Sequence, residues 1–150
     1  MSKMFLNNLG PKIKIANTLI EKQLNNEFAK VFDKYSLTGA QISLLLYLYD
    51  SKGRTVTQKE IADAFVLSHP TVRGIVKRLA DSNLIATSHL EHDQRQVVLT
   101  LTNQGFNLIN DNAEKIRIIM DNVNQRIVLG SSPQEVERLE QAIEKIISNF

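Results

Sequence analysis

Residues 57–79 constrain the fold more than any other stretch, because they encode two short helices joined by a tight turn. Thr57 and Glu60 stand in a capping-box pattern, in which the threonine oxygen accepts the third helical amide and the glutamate reaches back. After Val66 and Leu67, Ser68 predicts a second N-cap, and Pro70 falls in the first turn, where a missing N–H costs nothing. Val72, Ile75, Val76 and Leu79 follow at i, i+3, i+4 and i+7, so one apolar stripe faces a core. The other side shows Pro70, Gly74 and Lys77, flanked by Thr71, Arg73 and Arg78, with no acidic residue from His69 to Leu79. A helix with a buried back and a small, basic front suits the major groove of DNA.

Bulk charge alone does not argue for nucleic acid, since the formal net charge is only +2. Its distribution is more informative. Residues 52–80 hold Lys52, Arg54, Lys59, Arg73, Lys77 and Arg78 against Glu60 and Asp63, whereas residues 106–150 hold five basic and seven acidic side chains. Such a division attracts phosphates at one face and repels them elsewhere. The absence of cysteine excludes disulfides, thiolate metal sites and thiol redox switching. The first residues lack the apolar stretch of a signal peptide, and the run from Leu44 to Tyr49 is far short of the roughly 20 residues a spanning helix needs. A cytoplasmic protein without a membrane partner is expected.

The chain around this motif reads as mainly α. Residues 11 to about 34 keep apolar positions at helical spacing through Ile13, Ala16, Ile20, Leu24, Phe28, Val31 and Phe32. That stripe is long for a helix resting on one small domain, which points to a subunit interface. Thr38 and Gln41 repeat the capping-box pattern ahead of Ile42, Leu44, Leu45, Leu46 and Leu48, so this second helix should be the buried centre. Thr55-Val56 can add a short strand. Residues 84–90 and 96–101 read as a hairpin with the polar tip Glu91-His92-Asp93-Gln94-Arg95. A hairpin placed directly after a basic helix is the wing of a winged helix-turn-helix, and an arginine at its tip suits the minor groove. One helix is expected from Thr102 to about Ile127, and another behind the Ser132-Pro133-x-Glu135 cap, lined by Val136, Leu139, Ile143, Ile146 and Phe150.

In this order, several local words resemble the MarR family of bacterial transcriptional regulators. They are Leu37-Thr38 with Gln41, Thr57-Gln58-Lys59-Glu60-Ile61-Ala62, Ser68-x-x-Thr71-Val72, Val76-x-x-Leu79, Asn83-Leu84-Ile85, Asp93-Gln94-Arg95 and Leu101-Thr102-x-x-Gly105. The resemblance covers residues 37–105 by motif and the flanking helices by placement. It implies a single subunit over residues 1–150, with a DNA-binding lobe at 37–102 and dimerisation helices at 1–36 and 103–150. It further implies a homodimer on pseudo-palindromic double-stranded DNA, acting as a repressor released by a small-molecule ligand. The DNA-binding residues it implies are Ser68, His69, Pro70, Thr71, Arg73, Gly74, Lys77 and Arg78 on the recognition helix and Arg95 in the wing, with Asp93 positioning Arg95. With one arginine beside Glu91 and Asp93, this wing is expected to contribute less than the recognition helix.

Each of these residues also has a plainer reading. Arg73, Lys77 and Arg78 form a solvated face if no DNA is bound, and His69 is then an exposed helix start. Gly74 costs a helix interior about 1 kcal/mol relative to alanine, which is explained either by close approach to DNA or by packing. His89, Glu91, His92 and Asp93 lack helical ligand spacing, so no metal site is expected there. Tyr47, Tyr49, Phe65 and Met120 read as core rather than as a ligand pocket. No phosphate-binding glycine loop or hydrolase signature is present, so neither an enzyme nor a cofactor is expected. The rival is a winged-helix module that binds protein and not DNA.

Overall fold

The computed structural model describes residues 5–150; residues 1–4 of the expected N-terminal segment lie outside them. Seven helices and a small three-stranded sheet follow one another. They are α1 (Leu9–Val31), α2 (Gly39–Asp50), β1 (Val56–Thr57), α3 (Gln58–Phe65), α4 (His69–Asp81), β2 (Ile85–Leu90), β3 (Asp93–Leu101), α5 (Asn103–Asp111), α6 (Ala113–Ile127) and α7 (Pro133–Asn149). The mainly α architecture with a hairpin is the one expected.

Helix α2 is the buried centre, with Ile42, Leu44, Leu45 and Leu48 enclosed. Its capping box is complete: Thr38 Oγ1 accepts from Gln41 N at 3.3 Å, and Gln41 Oε1 accepts from Thr38 N at 3.1 Å. Phe28 and Phe32 at the end of α1, Ile61 of α3, Val72 and Leu79 of α4, Leu99 of β3 and Ile109 of α5 close the same core around it. Helix α1 begins two residues before the expected start, since Pro11 is tolerated within a first turn. It stops at Val31, where Phe32 leaves helical geometry and caps onto the Phe28 carbonyl.

The sheet order is β1-β3-β2, all antiparallel. The hairpin tip is shorter than expected: β3 begins at Asp93, opposite Leu90, leaving only Glu91 and His92 in the turn. Pairing then slips, because His89 lies opposite Val97, and residues 94–96 bulge from the ladder. The helix expected to run unbroken from Thr102 is split at Asn112, which ends α5 and starts α6 with non-helical backbone. The break turns α6 to pack along α1, while α5 stays against α2. Helix α7 has the expected Ser132–Glu135 capping box, yet none of its residues is buried.

Candidate nucleic-acid interface

Helix α4 is capped as its sequence predicts. Ser68 Oγ accepts from Thr71 N at 3.3 Å and lies 2.8 Å from the Thr71 hydroxyl, and Pro70 occupies the first turn. Val72, Val76 and Leu79 are buried, which turns Ser68, His69, Pro70, Thr71, Arg73, Gly74, Lys77 and Arg78 outward, all exposed. The helix extends beyond the expected stripe to Asp81, whose carboxylate holds Lys77 Nζ at 3.0 Å. The face is therefore less purely basic at its C-terminal end than residues 69–79 alone indicate.

The N-terminal half of α4 does not stand alone. A groove of about 430 Å³ is lined by Gln58, Lys59, His69, Arg73, Asp93, Arg95, Gln96 and Val97, so the starts of α3 and α4 share it with the wing. Asp93 Oδ1 accepts from the Arg95 amide at 3.1 Å and from Arg95 Nε at 3.3 Å, while the Arg95 side chain is 93% exposed. The carboxylate thus steadies an arginine that projects into solvent. Lys59, Arg73 and Arg95 outnumber the single carboxylate, an excess suited to phosphate oxygens. His69, Arg73, Asp93 and Arg95 are brought together; Lys77 and Arg78 lie further along the helix, outside the groove.

Gln58, Lys59 and Gln96 are groove residues the sequence reading missed. The Thr57 cap was a usable signal for two of them. It makes Gln58 and Lys59 the first two helical residues, ahead of the first buried side chain at Ile61. Glu60 completes only half of the expected capping box. Its amide does bond Thr57 Oγ1 at 3.1 Å, but its carboxylate turns away from the cap to Arg54 and Tyr47. Hydrogen bonds from Arg54 first, then Tyr47, hold that carboxyl below its ordinary range.

The four residues expected as core separate, and Phe65 and Met120 are exposed rather than core. Tyr47 packs edge-on against Phe65 at 5.6 Å, Tyr49 stacks on Phe106 at 5.4 Å, and Met120 lines a different cleft with α1 and the start of α2. Among the described residues no group of three or more histidines or carboxylates is placed to hold a metal ion, and no helix is long and apolar enough to cross a membrane.

A buried central helix, a capped helix pair and a hairpin sharing its groove define a winged helix-turn-helix. The family model described as "MarR family" matches residues 35–96. The HTH-type transcriptional regulator MgrA of Staphylococcus aureus is 32% identical over 133 residues, covering 87% of this chain and 84% of that relative. Among solved structures, the S. aureus MepR–DNA complex superposes with a TM-score of 0.80 at 22% identity, over 95% of this chain and 98% of that one. Bordetella bronchiseptica BpsR, studied for regulation of its DNA binding by 6-hydroxynicotinic acid, gives 0.71 at 23% identity, over 97% of each chain. These two structures speak to the fold. The chain belongs to the MarR family of transcriptional regulators and is a DNA-binding regulator of the winged helix-turn-helix class. Its relatives are regulators rather than enzymes.

Proposed function

We propose that two copies of this chain, in the cytoplasm, read a pseudo-palindromic operator and repress transcription until a small molecule releases them. The observation that carries this reading is the shared groove of α3, α4 and the wing, with its three cations. In this reading Ser68, His69, Pro70, Thr71, Arg73 and Gly74 meet the major groove. Lys77 and Arg78 reach phosphate, and Arg95, steadied by Asp93, reaches the minor groove. Lys77 must release Asp81 to do so, an exposed i,i+4 pair that costs little to open. Arg73 is the guanine reader, a contact worth about 1–3 kcal/mol of discrimination.

Residues 37–102 then form the DNA-reading lobe, and the segments 1–36 and 103–150 join the subunits, chiefly through α1, α6 and α7. Release finds support in a cleft of about 450 Å³ between α1, the start of α2 and Met120, apolar through Ile20, Leu24, Phe28 and Leu46 with Asn17 and Glu21 at its rim. BpsR answers to an aromatic acid, and a ligand of that size fits a cleft of this volume.

Mobility shifts with operator and random DNA at several salt concentrations test the DNA-facing assignment. Arg73→Ala should flatten preference among sequences, whereas Lys77→Ala should weaken all of them evenly. If both variants bind as wild type does, the assignment is wrong. For release, compounds found by thermal shift should lower operator affinity, and substitution of Leu24 by Trp should remove that response.

A further inference from the structure

Glu60 presents an apparent contradiction: a carboxylate one residue from Lys59, which lines the groove proposed to meet phosphates. Its surroundings resolve this. Arg54 approaches it in a bidentate fork, with Nη1 donating to Oε1 and Nη2 to Oε2, both at 2.8 Å. The Tyr47 hydroxyl donates to Oε2 at 2.6 Å. Arg54 also donates to Ser51 Oγ at 3.2 Å, and that hydroxyl donates to the Tyr47 carbonyl at 2.7 Å. The cycle ties the end of α2, the loop before β1 and the first turn of α3 together.

A half-exposed ion pair in this position adds little to stability. Its geometry does something more specific. A fork with two parallel bonds fixes orientation as well as distance, and here it fixes the turn that carries Gln58 and Lys59. It also leaves the carboxylate neutralised and its lone pairs turned toward Tyr47 and Arg54.

We propose that Glu60 is a positioning residue for DNA binding, holding the first turn of α3 through Arg54 and Tyr47 so that Lys59 meets a backbone phosphate. This rests on the DNA-facing reading of the groove. It makes a prediction of unusual sign. Deleting an acid beside a phosphate-binding surface ordinarily strengthens DNA binding, because it removes repulsion. Deleting Glu60 should weaken it.

The test is operator affinity against salt for the full-length dimer and for Glu60→Ala, Glu60→Gln, Lys59→Ala and the Glu60→Ala/Lys59→Ala double variant. Glu60→Ala should lose roughly tenfold in affinity, a drop readily resolved by titration. It should also flatten the salt slope by about 1.8, the value of two phosphate contacts, one per subunit, as Lys59→Ala does. The double variant should bind no worse than the weaker single one, since both remove the same contact. Glu60→Gln leaves a single acceptor oxygen and turns an NH2 toward the other donor, so it breaks the fork and should weaken binding in the same direction as Glu60→Ala. Should Glu60→Ala fail to fold, Arg54→Ala and Tyr47→Phe report on the same cycle. Unchanged or tighter binding by Glu60→Ala, or additive losses in the double variant, would overturn the proposal. Arg73→Ala separates the two levels. If it and Lys59→Ala both bind as wild type, the DNA-facing reading itself fails; if they weaken and Glu60→Ala does not, only the role of Glu60 falls.

Discussion

Gly74 and Val66 show how single positions in the helix pair trade stability against use. A methyl group at Gly74 would meet no other atom within 4 Å, so packing within this chain does not require glycine there. In the proposed DNA-facing arrangement, close approach of the backbone to DNA accounts for it. Gly74→Ala should therefore raise stability by about 1 kcal/mol, the helix-propensity difference, while lowering operator affinity. Denaturant melts and a titration on the same protein check both signs, and unchanged affinity would remove Gly74 from the contact surface. Val66 makes the opposite case. It ends α3 in left-handed backbone (φ 52°, ψ 50°), although it is β-branched and 88% exposed. Left-handed backbone costs an L-residue about 1–2 kcal/mol, and glycine's greater unfolded-state entropy returns about 0.5–1 kcal/mol of that. Val66→Gly should thus stabilise by up to about 1.5 kcal/mol, read as a higher urea midpoint with unchanged slope.

At the level of elements, what the sequence made legible were features set by neighbours within one or two turns. The Thr38, Ser68 and Ser132 caps, the buried stripe of α4 and the apolar stripe of α7 all follow from residues three to seven apart. Long-range partners were not legible. Glu60 leaves its cap because Arg54 and Tyr47 outbid a backbone amide, and Tyr47 arrives from another helix. The helix after Thr102 breaks at Asn112 because α5 must hold Ile109 in the α2 core while α6 follows α1, a demand that periodicity cannot express. Gly105 is a motif residue whose reason appears only in three dimensions: a Cβ there would collide with the Leu84 carbonyl oxygen, where the chain enters the wing. The Glu60 cycle also has a pH signature. Its folded-state pKa is depressed, so its contribution to stability is present above the ordinary carboxylate value of 4.5 and is lost as pH falls through the folded value. Wild type should lose more stability than Glu60→Gln between neutral pH and about pH 3, with the difference kept small by solvent screening. Urea melts across that range measure it, and parallel curves would show that the pair carries no net stabilisation.

At the scale of the whole molecule, one copy leaves apolar helix faces uncovered. Leu139, Ile143, Ile146 and Ile147 of α7 and Phe150 just after it are exposed, as are Leu9, Ile13 and Leu19 of α1. A 17-residue helix with no buried residue is marginal in water, since most helical stability in proteins comes from a packed face. Covering what remains exposed of each isoleucine or leucine is worth a fraction of the roughly 1.5–3 kcal/mol of full burial, and in the proposed dimer a second copy of the chain covers them. In the proposed dimer, two recognition helices about 34 Å apart would engage successive major grooves, the second half-site binding at the high effective concentration set by the first. Ile143→Lys with Ile146→Lys should therefore yield a monomer by sedimentation while leaving α2, α3, α4 and the wing folded. That monomer should bind a full operator no better than a single half-site, whereas wild type should prefer the full site by orders of magnitude. Its salt slope should fall to about half, because half the phosphates are contacted. A variant that stays dimeric would move the interface away from α7. One that becomes monomeric yet still discriminates full from half sites would show that α4 and the wing read DNA without two-fold coupling.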